Sequence, residues 1–161
     1  MRVGSSARAE GGPVPAVKPL PEARWQQVWF AARRRPWSSL ALVPAHPGTS
    51  ALFVADAIAA VGRLHGQKTS KRVDAERAAL PEVDDVLASV GAITGREELA
   101  VVAVACPLAQ ATSIPIARAC DAALLVVPLG ESRFADARRV MDLVGRDRFI
   151  GAVTLAPGGR R

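Results

Sequence analysis

The chain contains no tyrosine, and tryptophan and phenylalanine together make up only 4% of its 161 residues. Any mechanism that modifies the chain's own tyrosines is therefore excluded. Cysteine is almost as scarce: Cys106 and Cys120 are the whole complement, and their spacing matches neither a zinc site nor a dithiol redox motif. They read as reduced, buried thiols. Long apolar runs are missing too. The longest, Leu99 to Leu108, is about half of what a membrane-spanning helix needs. The opening MRVGSSARAEGG has no apolar segment after its early arginine, which argues against a secretory signal and predicts a cytoplasmic protein. What remains is ordinary for a folded domain. Half the residues are hydrophobic and 22% are charged, enough to build one core in a chain whose length suggests one domain.

Positive charge is concentrated at one end. Residues 1 to 36 hold Arg2, Arg8, Lys18, Arg24, Arg33, Arg34 and Arg35 against Glu10 and Glu22, a net of +5 out of the chain's +6. The rest is nearly neutral, so a nucleic-acid partner is not expected: phosphate contacts require an excess of Lys and Arg on the folded part. Trp25 and Trp29 with Arg33, Arg34 and Arg35 form a candidate contact for an anionic lipid surface or an acidic partner. The alternative is a helix that lays its aromatic side on the domain and leaves the arginines in solvent.

Along the chain, residues 1 to 21 carry four prolines and three glycines and read as a flexible arm. Residues 22 to 36 read as a basic aromatic helix, with Trp25, Val28, Trp29 and Ala32 at helical spacing and Pro36 as its stop. An α/β domain is expected over 37 to 157. Its strands are the apolar runs SSLALV, LAVVAVA, AALLVV and FIGAVTL, short and buried on both sides. Its helices are expected over 50 to 64, 81 to 90, 114 to 120 and 132 to 144, the last amphipathic. Residues 67 to 80 admit either a polar strand around Arg72 to Glu76 or the start of a charged helix. The alternation predicts a doubly wound, mostly parallel sheet of four or five strands with helices on both faces. In that fold the working loops lie beyond the C-terminal strand ends, here after Val43, Glu76, Ala105 and Val127.

Chemistry in those loops is sparse. The segment PAHPGTS lies where a phosphate-binding loop would sit, with Gly48, Thr49 and Ser50 but no lysine. Its neighbour after the run LAVVAVA, Ala105-Cys106-Pro107, offers no carboxylate for a metal. No catalytic residues and no metal ligands are assigned. His46 has no identifiable nucleophile to serve and reads as a surface histidine. His65 complements a helix end, Ser113 and Ser132 read as N-caps, and Asp121 as a turn residue.

Residues 38 to 155 nonetheless resemble the cytoplasmic P-loop ATPases related to the bacterial tyrosine kinases of capsule and exopolysaccharide synthesis, and more distantly the chromosome- and septum-positioning ATPases. The resemblance runs through LALVPAHPGTSALFVADAIAAVG, KRVDAER, LAVVAVACPL, DAALLVVPLGESRFADARRVMDLVG and FIGAVTL. Asp74 and Glu76 keep the paired acids of the second motif, with Arg77 one place early. Ala105 stands where the family has an aspartate, Leu155 where it has an asparagine beside the adenine, and the loop lysine is absent. With no tyrosine, autophosphorylation of the kinase type is excluded. The resemblance implies a non-catalytic regulatory or scaffold protein of polysaccharide synthesis or export. Its implied partner is a membrane export or chain-length protein, with homo-oligomers and peripheral contact at the inner membrane in keeping with the family. No cofactor is required on this reading. The alternative is an active nucleotide-binding ATPase or kinase with a non-standard loop of Gly48, Thr49, Ser50, Asp74 and Glu76. It would take ATP or ADP with magnesium, and Lys68 or Lys71 would reach in to supply the missing charge.

Overall fold

The computed structural model describes residues 22–66 and 68–157, and the arm expected over residues 1 to 21 lies outside the described residues. Five helices and five strands alternate in the order α1 (Ala23–Ala32), β1 (Ser39–Pro44), α2 (Leu52–His65), β2 (Ser70–Ala75), α3 (Val83–Gly95), β3 (Leu99–Val104), α4 (Ser113–Ala119), β4 (Ala122–Pro128), α5 (Phe134–Val144) and β5 (Phe149–Leu155). Single 3-10 turns at Leu80–Glu82 and Arg146–Arg148 precede α3 and β5. All strand pairs are parallel, and the sheet order is β2-β3-β1-β4-β5. The fold is thus the doubly wound α/β sheet that the apolar runs predict.

The three central strands are buried on both faces because nothing in them is charged. In β1, Leu40 and Leu42 point to one side and Ala41 and Val43 to the other, all fully buried. The first pair joins Trp25 and Trp29 of α1 and Val54, Ile58 and Val61 of α2 in one core layer. The second joins Val90 and Ile93 of α3, Ile116 of α4 and Val140 of α5 in the other. Each such aliphatic side chain contributes about 1.5–3 kcal/mol by leaving water.

After α2 the chain forms a strand, Ser70–Ala75, rather than a charged helix. Ser70 to Ala75 pairs in register with Leu99 to Val104 of β3, and only its two terminal residues are buried. As an edge strand it needs one apolar side, which Val73 and Ala75 supply. At the opposite edge, β5 pairs with β4 alone, leaving Gly151 and Ala152 exposed.

At the N-terminal ends of β1 and β4, Asp121 lies in the bend that opens β4, as expected, and does more than turn the chain. Its carboxylate accepts hydrogen bonds from the backbone N–H groups of Ser38 (2.8 Å) and Ser39 (3.1 Å), and its own N–H donates to Ser39 Oγ (2.9 Å). The side chain ties together two strands whose backbone donors would otherwise lack partners. The N-cap reading of two serines is corrected. Ser113 is the first residue of α4, α5 is preceded by Arg133 with no side-chain cap, and neither Ser113 Oγ nor Ser132 Oγ makes a hydrogen bond.

Candidate functional site

The strand order directs attention to one place. The connection after β1 runs toward β2 and the one after β4 toward β5, so they diverge beyond the C-terminal ends of β1 and β4, the place where open α/β sheets bind their ligands. The loop that follows β1 turns tightly, with Thr49 N–H donating to the His46 carbonyl at 3.3 Å. Gly48 takes φ +84°, the left-handed region, with open space around it. Glycine is therefore required by backbone conformation and not by a close neighbour. Ser50 and Ala51 then lead into α2.

The N-terminus of α2 is already occupied, by this chain's own carboxylate. Glu76, immediately after β2, accepts Ser50 Oγ–H with both oxygens (2.9 and 3.0 Å) and Ala51 N–H with Oε1 at 2.6 Å. Leu52 N–H is satisfied by Ser50 Oγ at 3.2 Å. The first backbone donors of a helix lack intrahelical partners and carry about half a positive charge, which is why such an end attracts anions. Here the half-buried Glu76 carboxylate fills that role from a distant part of the chain. Asp74 steadies it indirectly, since Asp74 Oδ1 accepts the Glu76 N–H at 3.1 Å.

Gly48, Thr49, Ser50, Asp74 and Glu76 thus lie around one loop, Ser50 and Glu76 in direct contact. The lysines do not join them. Lys68 precedes β2, at the other end of the sheet, and Lys71, second in β2, pairs with Glu98 at 3.3 Å. Parallel strands fix this outcome, because residues at the start of β2 lie the full strand length from Glu76 at its end. Arg77 is exposed beyond the same end. Among the described residues there is no cluster of three or more His, Cys, Asp or Glu side chains that could hold a metal.

The remaining loops carry structural bonds. In the loop after β3, Gln110 Nε2 and Thr112 Oγ1 both donate to the Ala78 carbonyl, at 2.9 and 2.8 Å, fastening it to the segment after β2. Burial pushes the Cys106 thiol of that loop up, and it pushes Cys120 up to about 12. Neither is a ready thiolate. His46 differs from the surface histidine expected: it is half-buried, and its Nδ1 is buried without a hydrogen-bond partner.

The expected contact surface on the first helix divides. Trp25 and Trp29 are 7% and 3% exposed, with Trp25 edge-on to Phe53 and Trp29 edge-on to Trp37. Their placement at a partner or membrane surface is corrected accordingly: these indoles are core. Arg33 donates from Nη1 to the Trp37 carbonyl at 2.8 Å and lies 4.8 Å from the Trp37 ring centroid, so it also helps to hold the helix. Outward, α1 and the residues after it present Phe30, 57% exposed, and the exposed Arg34 and Arg35.

Glu76 as the cap of α2 is the feature that sequence reasoning missed. No local signal announces it, because 26 residues separate it from Ser50. Comparison with protein-family models, curated proteins and solved structures finds no match, so the family resemblance rests on the motif residues alone.

Proposed function

We infer that this chain is a non-catalytic, P-loop-like regulatory or scaffold protein whose phosphate loop has been converted into an internal structural contact. The observation that carries the reading is the Glu76 carboxylate on Ser50 and the Ala51 N–H. A nucleotide phosphate entering the same helix end would meet that carboxylate. Two like unit charges about 4 Å apart near a protein surface repel by about 4 kcal/mol, roughly a thousandfold in affinity. A lysine in the loop would offset this, and the loop has none. A role in exopolysaccharide or capsule synthesis or export, with a membrane export or chain-length protein as partner, is what the resemblance adds. A peripheral position at the inner membrane draws on the outward Phe30, Arg34 and Arg35 and is part of the proposal. Among the described residues no helix is long and apolar enough to cross a membrane.

The test is calorimetry with ATP and ADP in the presence of magnesium. The proposal expects no saturable heat up to about millimolar nucleotide, and micromolar binding overturns it. The second reading, an ATPase or kinase with a non-standard loop, draws on the same juxtaposition of the Ser50 hydroxyl with Glu76 and Asp74. It requires binding that Asp74→Ala abolishes. For the pathway, copurification from detergent extract without any export or chain-length protein counts against the assignment.

A further inference from the structure

At the opposite end of the sheet from the Glu76 contact lies a cleft of about 270 Å³ between the outer side of α1 and the end of α2. Trp29, Phe30 and Leu99 form its apolar wall, and Arg33, His65 and Lys68 bring basic groups to it. The Phe30 and His65 rings meet at 5.7 Å between centroids. Among the described residues no carboxylate lines the cleft.

The charge balance of this cleft is what sets it apart. Five ion pairs join described residues: Arg24 with Glu22, Lys71 with Glu98, Arg72 with Asp56, Arg96 with Glu98, and Arg146 with Asp142. None of them involves Arg33, His65 or Lys68. Arg33 spends Nη1 on the Trp37 carbonyl, and its other guanidinium donors remain. The carbonyl end of α2 opens nearby at Gly66, and its partial charge of about −0.5 opposes an anion. Two full positive charges, on Arg33 and Lys68, outweigh it. A small cavity with uncompensated cations on one side and aromatic and aliphatic carbon on the other is matched by an anion carried on a carbon skeleton. Tetrahedral phosphate takes charge-assisted bonds from both guanidinium and ammonium donors.

We propose that this cleft binds a phosphate ester: the phosphate lies against Arg33, Lys68 and His65, and the attached carbon skeleton lies on Phe30, Trp29 and Leu99. The chemistry is shared by a free phosphorylated metabolite and by the headgroup of an anionic phospholipid. The site is separate from the loop after β1, so it stands whether or not nucleotide binds there.

The experiment uses the full chain and two probes, sn-glycerol 3-phosphate by calorimetry and phosphatidylcholine vesicles with and without phosphatidic acid by sedimentation. Lys68→Glu is compared with Arg139→Glu, an equal charge change on the exposed side of α5. Both side chains are exposed, and a thermal melt of each variant confirms folding, with Lys68→Gln as the milder substitute. Saturable glycerol phosphate binding that Lys68→Glu weakens about tenfold or more, while Arg139→Glu leaves it unchanged, supports the site and assigns it to a free ligand. Sedimentation only with phosphatidic acid, lost on the same substitution alone, supports it and assigns it to a lipid headgroup. Absence of binding to both probes up to about 10 mM phosphate overturns the proposal. So does binding indifferent to Lys68→Glu, or equal weakening by Arg139→Glu, which would reflect net charge only. ATP is itself a phosphate ester, so ATP heat that Lys68→Glu removes belongs to this cleft, whereas ATP heat that survives Lys68→Glu and is lost in Asp74→Ala belongs to the loop after β1 and overturns the loop reading alone.

Discussion

Replacing Glu76 by alanine removes the acceptor that holds the start of α2. Ser50 Oγ–H and Ala51 N–H both lose their partner, and the helix end loses its compensating charge. A hydrogen bond to a charged acceptor contributes about 1.5–3 kcal/mol, with the lower end fitting a half-buried group, and loss of an N-cap alone costs about 1 kcal/mol. These overlap, since they describe the same contacts, so the expected loss for Glu76→Ala is about 2 kcal/mol. In a protein of this size that lowers the melting temperature by about 4–8 °C. Glu76→Gln keeps one acceptor oxygen and loses the charge, so it should cost about half as much. Urea unfolding read by tryptophan fluorescence is the assay. Trp25, Trp29 and Trp37 all lie buried in the layer shared with α2, so they report on that helix. Stability of Glu76→Ala within about 0.5 kcal/mol of the parent would refute the claim that this carboxylate caps the helix. A glutamine variant as damaged as the alanine one would show that charge, and not hydrogen bonding, carries the effect.

Asp121→Ala should cost about 1–2 kcal/mol in the same assay, because the Ser38 and Ser39 N–H groups lose a charged acceptor at a partly exposed position; no loss would mean that water replaces it. Gly62→Ala should destabilise by about 1–3 kcal/mol despite alanine's better helix propensity. The added methyl would meet Ser70 Cβ and Trp29 Cη2, both at 2.8 Å, and a stabilised variant would show that α2 shifts freely there. Cys120 makes stability fall with rising pH. Above about pH 9 the unfolded chain releases the thiol proton, while the folded state holds it toward about 12. The unfolded state then binds fewer protons, so this group removes about 1.4 kcal/mol per pH unit up to about pH 12. Urea midpoints at pH 8 and pH 10 should therefore separate more in the parent than in Cys120→Ala, and equal separations would refute the assignment.

The fold was largely legible because the central strands are uninterrupted apolar runs. LAVVAVA and AALLVV have no surface-facing residues to confuse the pattern, and they form β3 and β4 within a residue of the expected limits. The edge strand β2 was legible only as one of two alternatives: SKRVDA buries only its ends, and pairing with β3 decides for the strand. For α1 the helical spacing showed which residues share a face but not what that face meets, so Trp25 and Trp29 were open to either destination. The acids and hydroxyls of the candidate site were found one by one. Their contact depends on the loop after β1 meeting the end of β2, a strand that is not β1's neighbour. Sequence spacing holds no record of strand order, and hence none of the link between Glu76 and Ser50.

The order β2-β3-β1-β4-β5 also sets a timetable for the ribosome. β1, the innermost strand, has both of its neighbours downstream, β3 at Leu99–Val104 and β4 at Ala122–Pro128. At translation speeds of about 5–20 residues per second, the strand's bare backbone waits on the order of several seconds before the first neighbour emerges. Leu40, Leu42 and Val43 remain solvated or clustered with α1 and α2 for that interval, a nascent state that an apolar-segment chaperone would hold. A circular permutant that starts at α3 and ends with β2 would remove the wait for β1, because both of its neighbours, β3 and β4, would then already be made.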